Sequence, residues 1–272
     1  TVYDRNVAVH RRERISAHLL QSNLALIIPK QNKEQWSALA TTSLCGHKSG
    51  SRYDISSIFP LHIYPRSAVD LLDEPPAEKH PNLSEEFTAA LKEAQGRAIS
   101  PEDTLAYIYA VLYTPGYRAR YADFLRRDFP RVPLTSDTNL FKKLVALGHE
   151  LVGLHTLQSV PKRITGYPVA GTGEVVKVRF GIEAGQSAGR VWINDAQYFD
   201  GVPQAVWDMH IGGYRVAEKW LKDRKGRLLT YDDITHYQSV VAALARTLAI
   251  QAELDLAVDA AGGWPLRYVM PA

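Results

Sequence analysis

Two histidines in the middle of the chain are arranged in a way that suggests a zinc protease at first sight. The segment from His149 to His155 begins as a zinc-binding helix does, with Glu directly after the first His, but such a helix needs its second His four residues later, where Gly153 stands. A spacing of six turns two side chains about 240° apart on a helix, so they cannot bind one ion. We therefore expect packing and solvation for both histidines and no metal site in this chain.

Other groupings that could support catalysis are incomplete. Cys45 lies close to His47, which could activate a thiolate, but no neighbouring residue would orient the pair, and an inert cysteine is the favoured alternative. The segment Gly171-Thr-Gly173 precedes a strand pattern instead of joining a strand to a helix, so it predicts a turn and not a phosphate-binding loop. The Ser, His and Asp residues show no recognisable triad order. The sequence therefore assigns no catalytic, cofactor-binding or metal-binding residue.

Basic residues gather in two segments of the C-terminal half. Five basic residues accompany two acidic ones between Lys162 and Arg190, and six accompany two between Arg215 and Arg227. Either excess of positive charge could form a surface that faces DNA phosphates, and the alternative for each is an ordinary solvated face of mixed charge. In the first segment, the residues predicted to contact DNA phosphates are Arg163, Lys177, Arg179 and Arg190.

A hairpin is predicted to carry these cations. Two short runs, 175–180 and 190–194, alternate between apolar and polar residues and are separated by glycine-rich sequence, which is typical of paired strands. Alternation places Lys177 and Arg179 on the outward face. The residues expected to face a core are Val176, Val178 and Phe180.

Two amides follow the second of these strands. Asn194 and Gln197 lie among aromatic residues, and an amide side chain can pair with adenine in the major groove. This placement predicts that the two residues read a base edge. The alternative, left open by the sequence, is a core strand followed by a polar turn.

Elsewhere the chain alternates between strand and helix signals. An apolar run at 24–28 predicts a strand after a short helical pattern, and the run 58–64 predicts an edge or irregular strand because it contains Pro60. Ser100 followed by Pro101 predicts a helix start, and helical patterns continue at 117–127 and 139–157. The segment Thr230-Tyr-Asp-Asp233 predicts a capping box before a C-terminal helix.

Composition indicates an ordinary folded protein of mixed α+β class. The chain has 46% hydrophobic and 22% charged residues, a net charge of +3, one cysteine and no apolar run long enough to cross a bilayer. These features favour a cytoplasmic protein without disulfides. The sequence predicts three parts: a strand-containing, mixed part at 1–75, a mainly helical part at 76–160, and a basic, strand-rich part with C-terminal helices at 161–272. The N-terminus lacks an initiator Met, which suggests a fragment of something longer.

Three sets of collinear segments carry a family resemblance. The first set is 3–14, 23–27 and 58–64; the second is Pro101–Leu112, Tyr117–Tyr121 and Asp128–Pro133; the third is Trp192–Asn194, Tyr198–Pro203, Ile211–Tyr214, Glu218–Gly226 and Tyr231–Tyr237. Together they resemble the C-terminal target-recognition (specificity) region of type ISP single-polypeptide restriction–modification enzymes, over nearly the whole chain.

This resemblance implies a function for the chain and for what it would be attached to. In such enzymes one polypeptide joins a nuclease, an ATP-driven DNA translocase, an adenine-specific DNA methyltransferase and the recognition region, and serves in phage defence. The chain would then be a C-terminal fragment that recognises a double-stranded DNA sequence and contacts the methyltransferase and translocase of the same polypeptide.

Departures from the whole enzyme matter equally. The chain has no Asn-Pro-Pro-Tyr loop for a flipped adenine and no Walker-type phosphate loop; its adjacent prolines, Pro75 and Pro76, follow Glu74. We therefore expect no catalysis and no cofactor in this chain. S-adenosylmethionine, ATP and Mg would belong to the other parts of the polypeptide. The alternatives are a helical scaffold that docks the methyltransferase and translocase without reading DNA, and a free-standing enzyme of unknown chemistry.

Overall fold

The computed structural model describes residues 13–33, 35–46, 55–64 and 78–267. The chain forms two compact units: unit 1 comprises residues 1–152 and 254–272, and unit 2 comprises residues 153–253. Both boundaries fall inside long helices, Thr138–His155 and Tyr231–Ala260. The three parts predicted from the sequence were placed at changes in composition, and that division stays a prediction. The predicted boundary between residues 75 and 76 lies outside the described residues.

Unit 1 contains small antiparallel sheets and a set of helices. Its elements are α1 (Glu13–Leu19), β1 (Ala25–Pro29), β2 (Leu39–Thr41), β3 (Ser56–Pro60), β4 (His62–Ile63), β5 (His80–Pro81), α2 (Glu85–Gln95), α3 (Pro101–Tyr113), α4 (Pro115–Arg120), α5 (Ala122–Leu125) and α6 (Thr138–His155), the last of which continues into unit 2. The predicted strand at 24–28 is confirmed as β1, which is buried along its length in the centre of the sheet β2-β1-β3. The strand that contains Pro60 is at the edge of that sheet, as predicted, because proline cannot donate to a ladder.

Local sequence signals explain where α3 begins and why it packs closely against α6, but they predicted one helix where the structure has two short ones. Ser100 caps α3, since its side chain accepts a hydrogen bond from the backbone N–H of Asp103 at 3.1 Å. Gly148 of α6 allows close approach to α3, because a Cβ at this position would lie 1.9 Å from the carbonyl oxygen of Ala106. The helix predicted at 117–127 is instead two short ones, α4 and α5, which are separated at Tyr121.

An arginine is enclosed among the aromatic residues of unit 1. The guanidinium of Arg118 lies over the rings of Tyr113 (4.5 Å) and Trp36 (5.6 Å), and its Nε donates to the carbonyl oxygen of Leu112. Burial lowers the pKa of Arg118. The fully buried aromatic side chains of this unit are Tyr107, Tyr109, Tyr113, Tyr117 and Phe141.

Unit 2 is built around a three-stranded antiparallel sheet. Its elements are β6 (Arg179–Gly181), β7 (Ala188–Trp192), β8 (Tyr198–Pro203), α7 (Gln204–Asp208), β9 (His210–Ile211), β10 (Tyr214–Arg215), α8 (Val216–Lys222) and α9 (Tyr231–Ala260), which continues into unit 1. The sheet has the order β6-β7-β8. Its inner face contributes Val191, Phe199 and Val202 to a core that also contains Trp207 and Tyr237.

The capping box predicted at the start of α9 is confirmed. A side-chain oxygen of Asp233 accepts a hydrogen bond from the backbone N–H of Thr230 at 3.0 Å, and the N–H of Asp233 donates to the hydroxyl of Thr230 at 3.1 Å. This reciprocal pair satisfies two donors that the helix itself leaves open. It also lowers the pKa of Asp233, so the carboxylate form is favoured.

The predicted hairpin is present, but its first strand has a different register near its start. Strands β6 and β7 pair antiparallel, with Arg179 opposite Trp192. The backbone N–H groups of Val176 and Lys177 both donate to the carbonyl oxygen of Ile193, at 2.8 and 3.0 Å, so two residues oppose one, as in a β-bulge. Consequently Val175 is buried and Val176 is 51% exposed, and the expectation that Val176 faces the core is wrong.

No helix among the described parts of the chain combines the length and apolar character that crossing a membrane requires.

Candidate nucleic-acid interface

The outer face of the sheet β6-β7-β8 carries cations and aromatic rings in register. One row across the three strands consists of Arg179, Trp192 and Tyr198, and the next row of Gly181, Arg190 and Asp200. Side chains two residues apart on a strand share a face, so both rows lie on the side of the sheet opposite to the core. Alternation thus separates this surface, which we call the outer sheet face, from the buried side chains.

Each arginine of the outer sheet face lies against an aromatic ring. The guanidinium carbon of Arg179 is 5.1 Å from the ring centroid of Trp192, and that of Arg190 is 4.9 Å from the ring of Tyr198. The two rings contact each other across β7 and β8, with centroids 4.5 Å apart. Exposed cation–π contacts of this kind contribute only about 0.5–1 kcal/mol each. Their main consequence is geometric, because they restrict where each guanidinium lies.

Arg190 is further held by a carboxylate. Its Nε donates to a side-chain oxygen of Asp200 at 3.0 Å. This hydrogen bond, followed by the nearby Tyr198, raises the pKa of Arg190, so its positive charge is retained. Arg179 is held less firmly, since its terminal nitrogen lies 3.8 Å from a side-chain oxygen of the exposed Asp195.

A groove of about 510 Å³ adjoins Arg190 on this face. Strands β6 and β7 approach closely there, because a Cβ on Gly189 would lie 2.3 Å from the carbonyl oxygen of Gly181. Only glycine is compatible with that approach. The residues that line the groove include Gly181, Glu183, Gln186, Arg190, Trp192 and Asp200.

The other two predicted phosphate contacts lie at the margins of the sheet. Lys177 is exposed and lies two residues before the start of β6, at the bulge. Arg163 is exposed and lies shortly before Gly166, whose backbone pairs with that of Asp200 beside β8. The structure therefore brings Arg179 and Arg190 together on one sheet face. Lys177 lies near the edge strand β6, and Arg163 lies near the segment that pairs with the edge strand β8.

The two predicted base-reading amides are engaged in hydrogen bonds within unit 2. The Asn194 side chain accepts from the backbone N–H groups of Ala196 (3.0 Å) and Gln197 (2.7 Å) and donates to the carbonyl oxygen of Glu174 (3.0 Å). Gln197 is 3% exposed. Its side chain accepts from the N–H of Gly173 at 2.8 Å and from Asn194 at 3.0 Å. These contacts favour the alternative interpretation, in which both amides stabilise a turn.

The second basic segment, 215–227, is largely neutralised by local ion pairs. Lys219 pairs with Asp223 at 2.6 Å and Lys222 with Glu218 at 2.7 Å, both one helical turn apart. Arg224 pairs with Asp233 at 3.4 Å and stacks on Trp220. The remaining cations, Arg215, Lys225 and Arg227, are exposed. This segment therefore has fewer cations available for phosphates than its composition suggests.

Sequence reasoning gave no role to Tyr198 and Asp200, although they position the two arginines. The only signal was the run Tyr198–Pro203, which belongs to the segments that carry the family resemblance and was not predicted to pair with β7. An expectation that the sequence contains no Gly-x-Ser-x-Gly pattern is wrong, since residues 185–189 match it. A nucleophile elbow joins a strand to a helix, whereas this segment joins β6 to β7, so the structure gives it no such context.

The two histidines considered first have separate partners. Nε2 of His149 lies 2.7 Å from a side-chain oxygen of Asp103, and Nε2 of His155 lies 2.9 Å from the hydroxyl of Thr247. Within the described ranges, no group of three or more His, Cys, Asp or Glu is placed to hold a metal ion. Cys45 is half-buried, and His47 lies outside the described residues.

Comparison with known proteins gives one family and several solved structures. A family model described as "Type ISP C-terminal specificity domain" matches residues 1–253. The ATP-dependent Type ISP restriction-modification enzyme LlaBIII bound to DNA superposes with a TM-score of 0.68 and 19% identity, over 86% of this chain and 16% of that chain. A DrdV–DNA complex gives 0.65 and 22%, over 86% and 24%. A nuclease-deletion mutant of the Type ISP enzyme LlaGI with a DNA substrate mimic gives 0.61 and 19%, over 86% and 21%. Sequence comparison with curated proteins gives no match.

Proposed function

This chain belongs to the Type ISP C-terminal specificity domain family, and from that premise we propose that it recognises a double-stranded DNA target through the outer sheet face of unit 2. The observation that carries the proposal is the pair of aromatic-stacked arginines, Arg179 and Arg190, in adjacent rows of one exposed sheet face. Arginine matches phosphate and base edges with a rigid set of donors. The major groove admits a two-stranded β-ribbon, and both arginines lie on the two paired strands β6 and β7.

The cations of the outer sheet face and its margins differ in how strongly neighbouring side chains restrict them. Lys177 and Arg163 are exposed at the margins of the sheet, and Arg179 has only a distant carboxylate partner. Such side chains suit phosphates, which fix the register of a protein on DNA without specifying sequence. The groove next to Arg190 offers a concave surface where a base edge could be contacted.

The rest of the polypeptide enters the proposal by analogy. The chain spans 16% to 24% of the length of the three solved structures, and two of them are described as Type ISP restriction-modification enzymes. We propose an adenine-specific methyltransferase and a translocase as its partners in the same polypeptide, in a cytoplasmic enzyme of phage defence. In that arrangement S-adenosylmethionine, ATP and Mg would bind to those other parts.

A measurement of salt dependence tests DNA recognition by the outer sheet face. Each phosphate contact releases about one counterion, so the double change Lys177→Ala and Arg179→Ala should reduce the slope of log affinity against log salt by about two units. The matched control, Arg126→Ala with Arg127→Ala in unit 1, removes two exposed cations and should leave the slope unchanged. An unchanged affinity and slope in the folded double variant of unit 2 would contradict the proposal and direct attention to the segment 215–227.

A second candidate function is docking of the methyltransferase or translocase by unit 1. It is favoured by an apolar groove of about 400 Å³, lined by residues that include Tyr121, Phe124, Phe129 and Pro130. Phe124 is 73% exposed there and adjoins the other apolar side chains of the groove, so together they form an exposed apolar patch. The change Phe124→Ser in the parent polypeptide should then impair coupling between DNA binding and methylation while leaving DNA affinity intact.

A further inference from the structure

We propose that Arg190 reads a guanine by donating from both terminal amino groups to N7 and O6, and that Asp200 is the residue that positions it. The inference rests on the proposed function, because it assigns a base to the outer sheet face. It distinguishes one cation of that face from the others.

The argument begins with the donors of the guanidinium. Arginine presents one donor at Nε and two at each terminal nitrogen, in one plane. In Arg190 the Nε donor is taken by Asp200 at 3.0 Å, and one face of the plane lies against the ring of Tyr198 at 4.9 Å. Within the described parts of the chain, neither terminal nitrogen has a hydrogen-bond partner. The edge that remains is the fork formed by the two terminal nitrogens.

Two other arginines of unit 2 that stack on aromatic rings lack this combination. Arg224 also has an aspartate near its Nε, at 3.4 Å, but its terminal nitrogen donates to the carbonyl oxygen of Trp220 and its side chain is only 25% exposed. Arg179 stacks on a ring, but no carboxylate lies within hydrogen-bond distance of its guanidinium. Of these three, only Arg190 is oriented at Nε and exposed at its fork.

The surroundings of Arg190 leave room for a base. Its neighbour across the ladder on β6 is Gly181, which has no side chain, and the groove of about 510 Å³ begins there. A base edge could therefore approach the fork past Gly181, along a groove that Glu183 and Gln186 also line.

The chemistry of the fork selects one base. In the major groove, guanine presents two adjacent acceptors, N7 and O6, whereas adenine presents N7 beside the N6 donor. A pair of N–H donors matches the first pattern and opposes a donor in the second. Lysine at the same position would keep the charge but lose the fork.

The test begins with selection of preferred duplexes from a random pool by the 272-residue chain, followed by affinity measurements. The selected sequence should contain a guanine at which 7-deazaguanine, which lacks the N7 acceptor, weakens binding by roughly 5- to 150-fold, the range for one bidentate base contact. Arg190→Ala should abolish that penalty, whereas Arg190→Lys should reduce it, because an ammonium can still donate to N7 but lacks the planar pair of donors, and should keep affinity for unrelated DNA. The matched control, Arg163→Ala, should weaken binding to all sequences alike and keep the penalty.

Asp200→Ala separates positioning from simple charge. Loss of a carboxylate from a DNA-facing surface should raise affinity for unrelated DNA, because one repulsive charge is removed, while release of the fork should lower the guanine preference. If Asp200 acts only through its charge, the change should alter the affinity for unrelated DNA and leave the guanine preference unchanged.

The outcomes distinguish this inference from the proposed function. If the chain selects a sequence but 7-deazaguanine has no effect at any guanine, or if the penalty survives in a folded Arg190→Ala variant, the inference is overturned and target recognition stands. If the chain selects no sequence at all, target recognition by this chain fails and the inference fails with it. The 7-deazaguanine measurement on the unmodified chain can overturn the inference even where a variant does not fold.

Discussion

Units 1 and 2 both pair arginine with aromatic rings, but the pair is enclosed in unit 1 and exposed to solvent in unit 2. In unit 1, Arg118 lies against the rings of Tyr113 and Trp36 and donates to a backbone carbonyl oxygen. Burial of its guanidinium lowers the pKa of Arg118. In unit 2, Arg190 lies over Tyr198 with its fork exposed, and its pKa is raised by Asp200. The difference teaches that stacking alone does not identify a binding residue. What distinguishes the two is which donors remain available.

The largest expected effect comes from a pair of glycines, one in each unit. Gly148→Ala would place a Cβ 1.9 Å from the backbone of Ala106, and Gly189→Ala would place one 2.3 Å from that of Gly181. Because backbone must move in both cases, each change should lower the free energy of unfolding by about 1–3 kcal/mol or more. Urea unfolding measures this, with Gly166→Ala as the control, since nothing lies within 4 Å of a Cβ there.

The same glycine pair tests whether DNA recognition belongs to unit 2. Gly189→Ala distorts the groove beside Arg190 and should reduce the preference among DNA sequences. Gly148→Ala should leave that preference intact in the fraction that is folded. Equal effects of the two changes on sequence preference would contradict the assignment of the interface to unit 2.

A smaller effect is expected for buried amides. Gln197→Ala should lower the free energy of unfolding by about 1–3 kcal/mol, because it leaves the N–H of Gly173 and the carbonyl oxygen of Val169 without their partner. Gln95→Ala in unit 1 should have a smaller effect, since the buried Gln95 side chain donates one hydrogen bond, to the carbonyl oxygen of Thr135. Chemical unfolding compares them.

The outcome also decides between the two interpretations of the amides. If Asn194→Ala leaves stability unchanged and relaxes sequence preference at an adenine, then base reading is supported against the turn that the hydrogen bonds favour.

The free energy of unfolding should decrease modestly at acidic pH, with one histidine in each unit contributing to the decrease. Burial, followed by a nearby cation, lowers the pKa of His62 in unit 1, beside Lys79, and of His236 in unit 2, beside Arg224. Carboxylates of Glu102 and Asp233 oppose these shifts only in part. Because both pKa values lie below the ordinary value of about 6.5, the unfolded chain takes up protons first, and stability falls as pH drops from about 6.5 towards the folded pKa values.

Unfolding in urea at pH 7.5 and 5.5 measures this loss. His62→Gln and His236→Gln should each remove part of it. A loss that is unchanged in the double variant would place its origin in other groups.

No effect at all is expected in assays of catalysis. The 272-residue chain should show no methyl transfer, nuclease or ATPase activity, because the loops that would bind adenine and nucleotide are absent from its sequence. Incubation with DNA and labelled S-adenosylmethionine, and separately with ATP and Mg, checks this. Transfer of label by the pure chain would contradict the view that neither unit is catalytic.

Local signals in the sequence predicted the parts of the fold that local physics determines. The Ser100 cap and the capping box at Thr230 depend on residues within one turn, and both are confirmed. The bulge at Val176 was missed because it depends on one distant carbonyl group, that of Ile193. A turn role for Gln197 was left open as an alternative, but its partner Gly173 was not predicted, since it lies in another loop.

The sequence predicted those residues of the candidate site that local alternation and charge reveal, and it did not predict those whose role depends on contact with another strand. Alternation identified Arg179 as outward-facing, and the charge of the segment identified Arg190. The roles of Tyr198 and Asp200 follow only from the pairing of β7 with β8, which composition does not reveal. The pairing of β7 with β8 is therefore what the sequence alone left undetermined.

The alternation along β7 has a consequence for how such domains change over time. Arg190 and Trp192 point outward, while Val191 and Ile193 between and after them are fully buried. Substitutions at the outward positions leave the packed interior untouched, and surface changes of this kind usually alter stability by less than about 0.5 kcal/mol. A lineage could therefore exchange one preferred DNA sequence for another with little risk of unfolding, and an engineer could build a library on the outward positions of β6, β7 and β8 from the same scaffold.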